Sequence, residues 1–207
     1  KFTPVPFKEE DIWNGYPEET NAPYGIAKKT LMELLIAYNK QYDFNCTNLI
    51  PVNMYGPNDN FDPVKSHVIP ALILKFAKAI EDNDSSVELW GTGSASREFL
   101  YVDDCAYAIS QCLERDTTPH PINIGTCSEI TIRKLAETLS EIMGYEGKIK
   151  FNSDYPDGQP RRCLDTSRAY KVLGFRAKTE LYKGLKETVS WFYKNKEKFV
   201  DYFNNIQ

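Results

Sequence analysis

The spacing of apolar residues predicts alternating helices and strands along the chain. Between Tyr24 and Tyr42, apolar side chains recur every three or four positions, which is the period of one helix face. The apolar run 46–52 is typical of a buried strand, and the segment 53–60 after it is rich in turn-forming residues. The helical stripe consists of Ile26, Ala27, Leu31, Leu34, Leu35 and Tyr38.

The same alternation continues to the end of the chain. Thr131 is placed to cap a helix that Gly144 ends. Strands that alternate with helices favour an α/β fold with a largely parallel sheet. The remaining pattern predicts helices over 66–80, 104–114, 132–143, 165–173 and 181–196, strands over 87–90, 97–102, 121–124 and 148–151, and loops over 1–21, 91–96 and 156–162.

Composition and charge narrow the class of protein. The chain has 207 residues, of which 42% are apolar and 26% charged, as in ordinary globular proteins. A formal net charge of −4 gives no basic surface for nucleic acid, and no apolar run approaches the length of a membrane span. We therefore expect neither a nucleic-acid partner nor a membrane partner.

The cysteines predict neither a metal site nor a disulfide framework. They are odd in number, scattered and without CxxC spacing, which fits a reducing cytoplasm. They are Cys46, Cys105, Cys112, Cys127 and Cys163.

Tyr24 and Lys28 are the first candidates for chemistry. Pro23 suits the first turn of a helix, and positions i and i+4 then lie on one face. An ammonium beside a phenol favours the phenolate and lowers its pKa, so such a tyrosine can exchange a proton near neutral pH. A packed tyrosine beside a solvated lysine is the alternative.

Two features at the start of the chain predict that it continues a longer polypeptide. It opens on Lys1 without an initiator methionine, and it lacks the glycine-rich turn that opens a dinucleotide-binding fold. The pair Gly91 and Gly93 comes too late for that role and reads as a turn. The acidic run 9–11 reads as solvated loop.

Several motifs in order give the chain a family resemblance. They are YxxxK at 24–28, NDNF at 58–61, SHVIPAL at 66–72, WGTG at 90–93 with REF and YVDD over 97–104, and PDG with PRR over 156–162. In this order they resemble the extended short-chain dehydrogenase/reductase family of NAD-dependent epimerases and dehydratases. The resemblance is strongest to the branch that converts GDP-4-keto-6-deoxymannose to GDP-L-fucose, and it covers the C-terminal two-thirds of such enzymes.

The resemblance implies a fold and a division of labour. The fold would be α/β, with the C-terminal part of a Rossmann-like doubly wound parallel sheet plus a smaller α/β substrate-binding lobe. Residues 1–60 and 97–125 would belong to the dinucleotide-binding domain, whereas 61–96 and 126–207 would form the lobe. The helix from Pro23 is of the kind that this family uses to form homodimers.

The resemblance also implies catalytic and cofactor-binding roles. Tyr24 would give a proton to the sugar C4 oxygen, and Lys28 would hold the nicotinamide ribose of NADPH. His67 would be the acid of the epimerisation and would lie against the cofactor, with a capping or core histidine as the alternative. The main chain of Pro51, Val52, Asn53 and Met54 would contact the nicotinamide carboxamide, with an ordinary strand-end turn as the alternative for Val52.

Five residues are implied to bind the GDP-sugar substrate. Arg97 and Arg162 suit the diphosphate, because a guanidinium binds phosphate oxygens in a bidentate way. Lys75 keeps the charge of the arginine more common in the family, but not its fork. Trp90 would contact substrate, with core packing as the alternative, and Asp157 would contact a hydroxyl or the base.

Three other charged residues have simpler interpretations. Helix capping explains Asp103 and Asp104 better than a paired acid/base role does. Arg161 reads as solvated.

Three functions remain open from the sequence. The first is NADPH-dependent conversion of GDP-4-keto-6-deoxy-D-mannose to GDP-L-fucose. The second is reduction or epimerisation of another nucleotide sugar, such as a GDP-heptose. The third is binding of a GDP-sugar without activity, because the family's glycine-rich turn, catalytic serine and cysteine base match nothing in this chain.

Overall fold

The computed structural model describes residues 3–115 and 118–203. Helices and strands alternate through these ranges, as the sequence pattern predicts. The helices are α1 Ala22–Tyr42, α2 Val68–Glu81, α3 Val102–Leu113, α4 Ile132–Met143, α5 Ser167–Leu173, α6 Leu181–Lys194 and α7 Val200–Phe203. The strands are β1 Leu49–Pro51, β2 Asn53–Tyr55, β3 Ser86–Trp90, β4 Ser96–Tyr101, β5 Ile122–Ile124, β6 Glu129–Thr131, β7 Lys148–Asn152 and β8 Arg161–Arg162.

The chain folds as two compact units. Unit 1 comprises Lys1–Met54, Glu98–Ser128 and Arg162–Lys178, and unit 2 comprises Tyr55–Arg97, Glu129–Arg161 and Thr179–Gln207. The predicted substrate-binding lobe included residues 162–178, which lie here in unit 1. They do so because Ala169 and Leu173 of α5 are fully buried in the core of that unit.

The core of unit 1 forms around two parallel strands. Strand β1 pairs with β5, and Pro51 lies opposite Ile124. Helix α5 packs against β5 and against α3, so apolar side chains of all these elements leave water together. The buried cluster consists of Leu100, Cys105, Ala108, Ile122, Ile124, Ala169, Leu173 and Phe175.

A buried carboxylate organises the turn after β5. Glu98 Oε1 accepts hydrogen bonds from the backbone N–H groups of Thr126 at 2.5 Å and Cys127 at 2.7 Å. Its Oε2 accepts from the N–H of Leu164 at 2.7 Å. A Cβ at Gly125 would lie 2.3 Å from Oε1, so only glycine fits beside this carboxylate. Glu98 thereby links two segments of unit 1 that are distant in sequence.

The acidic run near the start of the chain is not simply solvated, and that interpretation is wrong. Glu9 is buried, and its Oε1 accepts a hydrogen bond from the Asn123 backbone N–H at 2.9 Å. Arg168 forms ion pairs with Glu9 and Glu10. Buried carboxylates require such partners, so these contacts hold the first loop against the rest of unit 1.

Unit 2 places helices against a second parallel strand pair. Strand β3 pairs with β7 in a register that sets Trp90 opposite Asn152 at the end of both strands. Helix α2 packs against β3 and α4, and α4 packs against α6. Phe61 fills the space beside α6, with its ring centroid 5.0 Å from that of Phe192 and 4.9 Å from that of Phe199.

Helix ends follow the predicted chemistry in most places. Thr131 caps α4 by accepting a hydrogen bond from the N–H of Lys134, and Gly144 ends that helix with a φ of +71°. Helix α3 begins earlier than predicted, after Tyr101, so Asp103 and Asp104 lie in its first turn rather than at its cap. Carboxylates there still stabilise the positive end of the helix dipole.

Three strands escaped the sequence pattern. Segments β2, β6 and β8 have only two or three residues each, too few to show a period of two. Within the ranges that the structure describes, no helix combines the length and apolar character needed to cross a membrane.

Candidate active site

The opening of α1 presents Tyr24 and Lys28 together. Lys28 Nζ lies 5.5 Å from the centroid of the Tyr24 ring, as the predicted i, i+4 spacing requires. Tyr24 is 66% exposed, so the interpretation as a packed tyrosine is wrong. A Cβ at Gly25 would lie 2.7 Å from Pro17 Cβ, which shows how closely the preceding loop approaches the helix. The phenol and the ammonium are both open to a ligand.

Residues 51–54 run from the last residue of β1 into β2, at the carboxyl end of β1, where open α/β sheets bind ligands. The Val52 N–H donates to the carbonyl of Ile124 at 2.9 Å, so the sheet already uses this amide. Asn53 Nδ2 donates weakly to the Glu98 carbonyl at 3.5 Å. Pro51 and Met54 are exposed. Val52 continues the pairing with β5 and connects β1 directly to β2, so the strand-end turn given as its alternative is wrong. The flanking residues Pro51 and Met54 stay open to a ligand.

His67 lies at the start of α2 and is exposed. Its side chain makes no capping hydrogen bond, so neither the capping nor the core alternative describes it. Two buried oxygens near it in sequence, Asp59 Oδ2 and Ser66 Oγ, have no hydrogen-bond partner among the described residues. Buried polar atoms without partners are rare and call for an explanation such as a bound water or a functional role.

The charge of Asp59 is disfavoured where it lies. Burial raises the pKa of its carboxyl, while the N–H of Asn60 and the nearby His67 oppose that rise. Sequence reasoning missed Asp59 and Ser66, although both lie in motifs that carried the resemblance. Their burial depends on how the loop 56–67 folds, which no local pattern reveals.

Lys75, Trp90 and Tyr155 form a second group in unit 2. Lys75 Nζ lies 5.8 Å from the centroid of the Trp90 ring and donates to the Glu88 carbonyl at 3.3 Å. Burial lowers the pKa of Lys75, and Glu88 partly opposes this. Trp90 is 65% exposed, so the core-packing alternative is wrong.

Asp157 holds two loops of unit 2 together. Its Oδ1 accepts from the Thr92 N–H at 2.7 Å, and its Oδ2 accepts from the Thr92 hydroxyl at 2.6 Å. The hydroxyl of Thr92 and then its N–H lower the pKa of Asp157. Gly91 has a φ of +80°, and a Cβ there would lie 2.4 Å from Asp157 Oδ1. The predicted contact of Asp157 with substrate stays a prediction, now for a carboxylate that already has protein partners.

The three arginines have different surroundings. In unit 2, Arg97 donates from Nη1 to the Ser96 carbonyl at 2.7 Å. A Cβ at Gly158 would lie 3.7 Å from its Nη2. Arg161 forms a two-pronged ion pair with Glu129 while its side chain stays 58% exposed, so it is a solvated side chain that also has a partner.

Arg162 is exposed on unit 1. The pKa of Glu18 in the same unit is lowered, first by hydrogen bonds from Thr20 and to a smaller degree by the charge of Arg162. The predicted site residues are therefore divided between the two units. Unit 1 holds Tyr24, Lys28, Pro51, Val52, Asn53, Met54 and Arg162, and unit 2 holds His67, Lys75, Trp90, Arg97 and Asp157.

Comparison with known proteins decides the family. Residues 1–125 match the NAD dependent epimerase/dehydratase family. The chain belongs to this family. The Tyr24–Lys28 pair and residues 51–54 lie inside the matched region, whereas Asp157 and Arg162 lie beyond it.

Several similar members of this family have names that refer to GDP-linked sugars. The chain is 40% identical over 208 residues to GDP-L-fucose synthase of Escherichia coli (strain K12), covering 96% of this chain and 64% of that protein. A solved GDP-L-fucose synthetase from Naegleria fowleri bound to NADP is 29% identical with a TM-score of 0.87, covering 95% and 63% of the two chains. A GDP-6-OMe-4-keto-L-xylo-heptose reductase from C. jejuni is 31% identical with a TM-score of 0.84, covering 94% and 67%.

The chain spans about 60% of the length of the curated family members that it matches.

Proposed function

We propose that the chain forms part of an NADPH-dependent enzyme that converts GDP-4-keto-6-deoxy-D-mannose to GDP-L-fucose. One observation carries the proposal: an exposed Tyr24–Lys28 pair opens a helix in a chain that is 40% identical to the Escherichia coli GDP-L-fucose synthase. The solved relative bound to NADP supports the choice of cofactor.

The residues of unit 1 fit a nicotinamide cofactor. Lys28 offers an exposed ammonium to ribose hydroxyls, and Pro51 to Met54 lie at the carboxyl edge of a parallel strand pair. NADPH, when bound, supplies the hydride that reduces the C4 carbonyl of the sugar. In the proposed reaction Lys28 and residues 51–54 hold and orient the cofactor.

Proton transfer is the task of this chain's own side chains. Tyr24 donates its phenolic proton to the C4 oxygen as that oxygen gains charge. In the epimerisation, a base first removes a proton from the carbon next to the ketone to give an enolate, and His67 then donates a proton back to that carbon. This role fits the exposed position and the imidazole chemistry of His67. Tyr24 and His67 thus serve two different steps, reduction and epimerisation.

The substrate requires groups that recognise a diphosphate and a sugar. Lys75 and Arg97 supply positive charges suited to phosphate oxygens, and Arg162 is proposed as a further diphosphate contact. Trp90 supplies an exposed aromatic surface. Asp157 is assigned to a contact with a sugar hydroxyl or with the base. Its carboxylate oxygens would accept that hydrogen bond in addition to those from Thr92.

The test is turnover of the complete protein with GDP-4-keto-6-deoxymannose. NADPH oxidation and formation of GDP-L-fucose are measured together, the first by absorbance and the second by chromatography. Appearance of both supports the proposal. Absence of both with this substrate, in folded protein that binds NADPH, would reject it.

A second candidate is reduction of a GDP-heptose. The C. jejuni heptose reductase favours it, because its fold superimposes with a TM-score of 0.84. Assaying a panel of GDP-4-ketosugars separates the two candidates. Higher kcat/KM for the heptose than for the deoxymannose would select the reductase.

A third candidate is a chain that binds GDP-sugar without turning it over. Calorimetry with GDP and with NADPH, performed separately on the 207-residue chain, distinguishes it. Binding of GDP alone supports a substrate-binding role, whereas binding of both supports a complete cofactor cleft.

We also propose a cytoplasmic homodimer. Cys46, Cys105, Cys112, Cys127 and Cys163 are all free thiols, which supports a reducing compartment. On α1 the apolar side chains Ile26, Leu31, Leu34 and Tyr38 are exposed, and contiguous apolar surface of this kind marks interaction sites. Light scattering of the purified protein would give the mass that checks the dimer.

A further inference from the structure

We infer that Tyr155 is a positioning residue that fixes the Trp90 side chain for contact with the GDP-sugar. The inference rests on the proposed function, because Trp90 matters only if it meets substrate. No sequence motif pointed to Tyr155. The observation behind it is a stacked pair of rings, with centroids 4.6 Å apart and an interplanar angle of 12°.

Both rings are open to solvent. Trp90 is 65% exposed and Tyr155 is 42% exposed, so neither belongs to the core of unit 2. A large exposed indole has several staggered orientations available unless a neighbour restricts them. Tyr155 restricts Trp90 by covering one face of its ring while most of the indole stays accessible.

The backbone brings the two rings to the same place. Trp90 and Asn152 are opposite one another at the last position of the β3–β7 pair. Tyr155 follows three residues later, in a turn where its N–H donates to the Asn152 carbonyl at 3.4 Å. The N–H of Gly91, just after Trp90, donates to that same carbonyl at 2.8 Å. One carbonyl therefore anchors the chain on both sides of the stack.

A second link lies just beyond the rings. Asp157 accepts two hydrogen bonds from Thr92, so the segments that carry Trp90 and Tyr155 are joined again two residues further along each. Lys75 Nζ lies 5.8 Å from the centroid of the Trp90 ring. Anchored on both sides, the stack holds the indole beside a cation suited to phosphate.

Such preorganisation affects binding more than chemistry. A side chain already fixed in its bound orientation loses less entropy when the ligand arrives. An aromatic pair contributes about 0.5–1.5 kcal/mol beyond its buried area, which corresponds to roughly a two- to tenfold change in affinity. Loss of the stack should thus raise KM for the GDP-sugar and leave kcat close to that of the wild type.

The experiment compares three variants of the complete protein. Tyr155→Leu removes the stack, Tyr155→Phe keeps the ring without the hydroxyl, and Tyr182→Leu removes an exposed tyrosine of the same unit far along the chain. We expect Tyr155→Leu to raise KM for the GDP-sugar about two- to tenfold, with KM for NADPH unchanged. Tyr155→Phe should restore the wild-type KM, and Tyr182→Leu should match the wild type.

Calorimetry with GDP gives a readout that does not depend on turnover. A parallel loss of GDP affinity in Tyr155→Leu supports the inference even if the preferred sugar is a different one. Equal GDP affinity and equal KM in Tyr155→Leu and wild type would overturn it. A wild-type protein that neither turns over the GDP-sugar nor binds GDP would reject the proposed function and this inference together.

Discussion

Tyr24 is the single residue on which the proposed chemistry depends most. Its ring is exposed and lies beside Lys28, yet its hydroxyl is needed only if it transfers a proton. General acid catalysis by a positioned side chain typically contributes about 10²–10⁴-fold in rate. Burial and packing of Tyr24 contribute little, so substitution should affect the rate and not the fold.

Tyr24→Phe should therefore lower kcat about 10²–10⁴-fold, with a much smaller change in KM. Tyr38→Phe, which removes a hydroxyl from another exposed tyrosine of α1, is the matched control. Steady-state oxidation of NADPH in the presence of the GDP-sugar measures both variants. A Tyr24→Phe enzyme as fast as the Tyr38→Phe enzyme would remove Tyr24 from the mechanism.

Asp59 gives a prediction about pH at the same scale. Burial raises the pKa of its carboxyl, so the folded state holds this proton more tightly than the unfolded chain does. The contribution of the protonated Asp59 carboxyl to the free energy of unfolding is therefore fully present at low pH. It is lost as the pH rises from about 4 through the pKa of the folded state.

Asp59→Asn should flatten this part of the stability profile and be the more stable protein at neutral pH. Urea unfolding at a series of pH values from about 4 to 8 measures the difference between the two proteins. Asp154→Asn changes an exposed aspartate of unit 2 and should leave the profile as it is. A wild type that gains stability relative to Asp59→Asn as the pH rises would contradict the prediction.

At the scale of elements, α4 shows how local sequence sets a boundary. Thr131 is the last residue of β6 and also the N-cap of α4, where its hydroxyl accepts the Lys134 N–H at 3.1 Å. Leu135, Ala136 and Leu139 on the inner face of the helix are fully buried. Thr131 ends β6 and begins α4. Loss of its capping hydrogen bond therefore affects the start of a helix that packs in the core of unit 2.

Thr131→Ala should destabilise the protein by about 1 kcal/mol, because one N–H in the first turn loses its acceptor. Thr131→Ser keeps the hydroxyl and should recover most of that loss. The midpoints of urea unfolding of the two variants, compared at equal slope, give the difference. Equal midpoints for Thr131→Ala and Thr131→Ser would show that the cap contributes nothing.

At the scale of the whole molecule, net charge and local charge act in opposite directions. The chain carries a formal charge of −4, which repels an anionic GDP-sugar at long range. Under the proposed function, Lys75 and Arg97 would attract it at short range. Salt screens both effects, so the sign of the salt dependence reveals which one dominates.

We expect GDP binding to weaken severalfold as salt rises from about 0.05 to 0.5 M, because contact charges outweigh the distant repulsion. Calorimetry at several salt concentrations measures this. Lys75→Met should make the dependence shallower, whereas Lys134→Met, at an exposed lysine of the same unit, should not. Tighter binding at higher salt would mean that the proposed cations do not meet the ligand.

Much of the fold and part of the site could be predicted from local pattern. The helical stripe of α1, the Thr131 cap and the Gly144 stop depend on neighbours within a turn or two, so the sequence determines them. The i, i+4 spacing likewise determines that Tyr24 and Lys28 share a face. The motifs from YxxxK to PRR were enough to identify the family, because their order along the chain can be read from the sequence without coordinates.

Only the tertiary structure decided which side chains are open and which are engaged. In the folded protein Trp90 is exposed and Glu9 is buried. Asp157 accepts hydrogen bonds from Thr92, and the Tyr155 ring stacks on the Trp90 ring. These outcomes depend on contacts between residues such as Trp90 and Tyr155, which lie 65 positions apart. Periodicity describes only what lies within one element, whereas burial and pairing are set by the elements that pack against it.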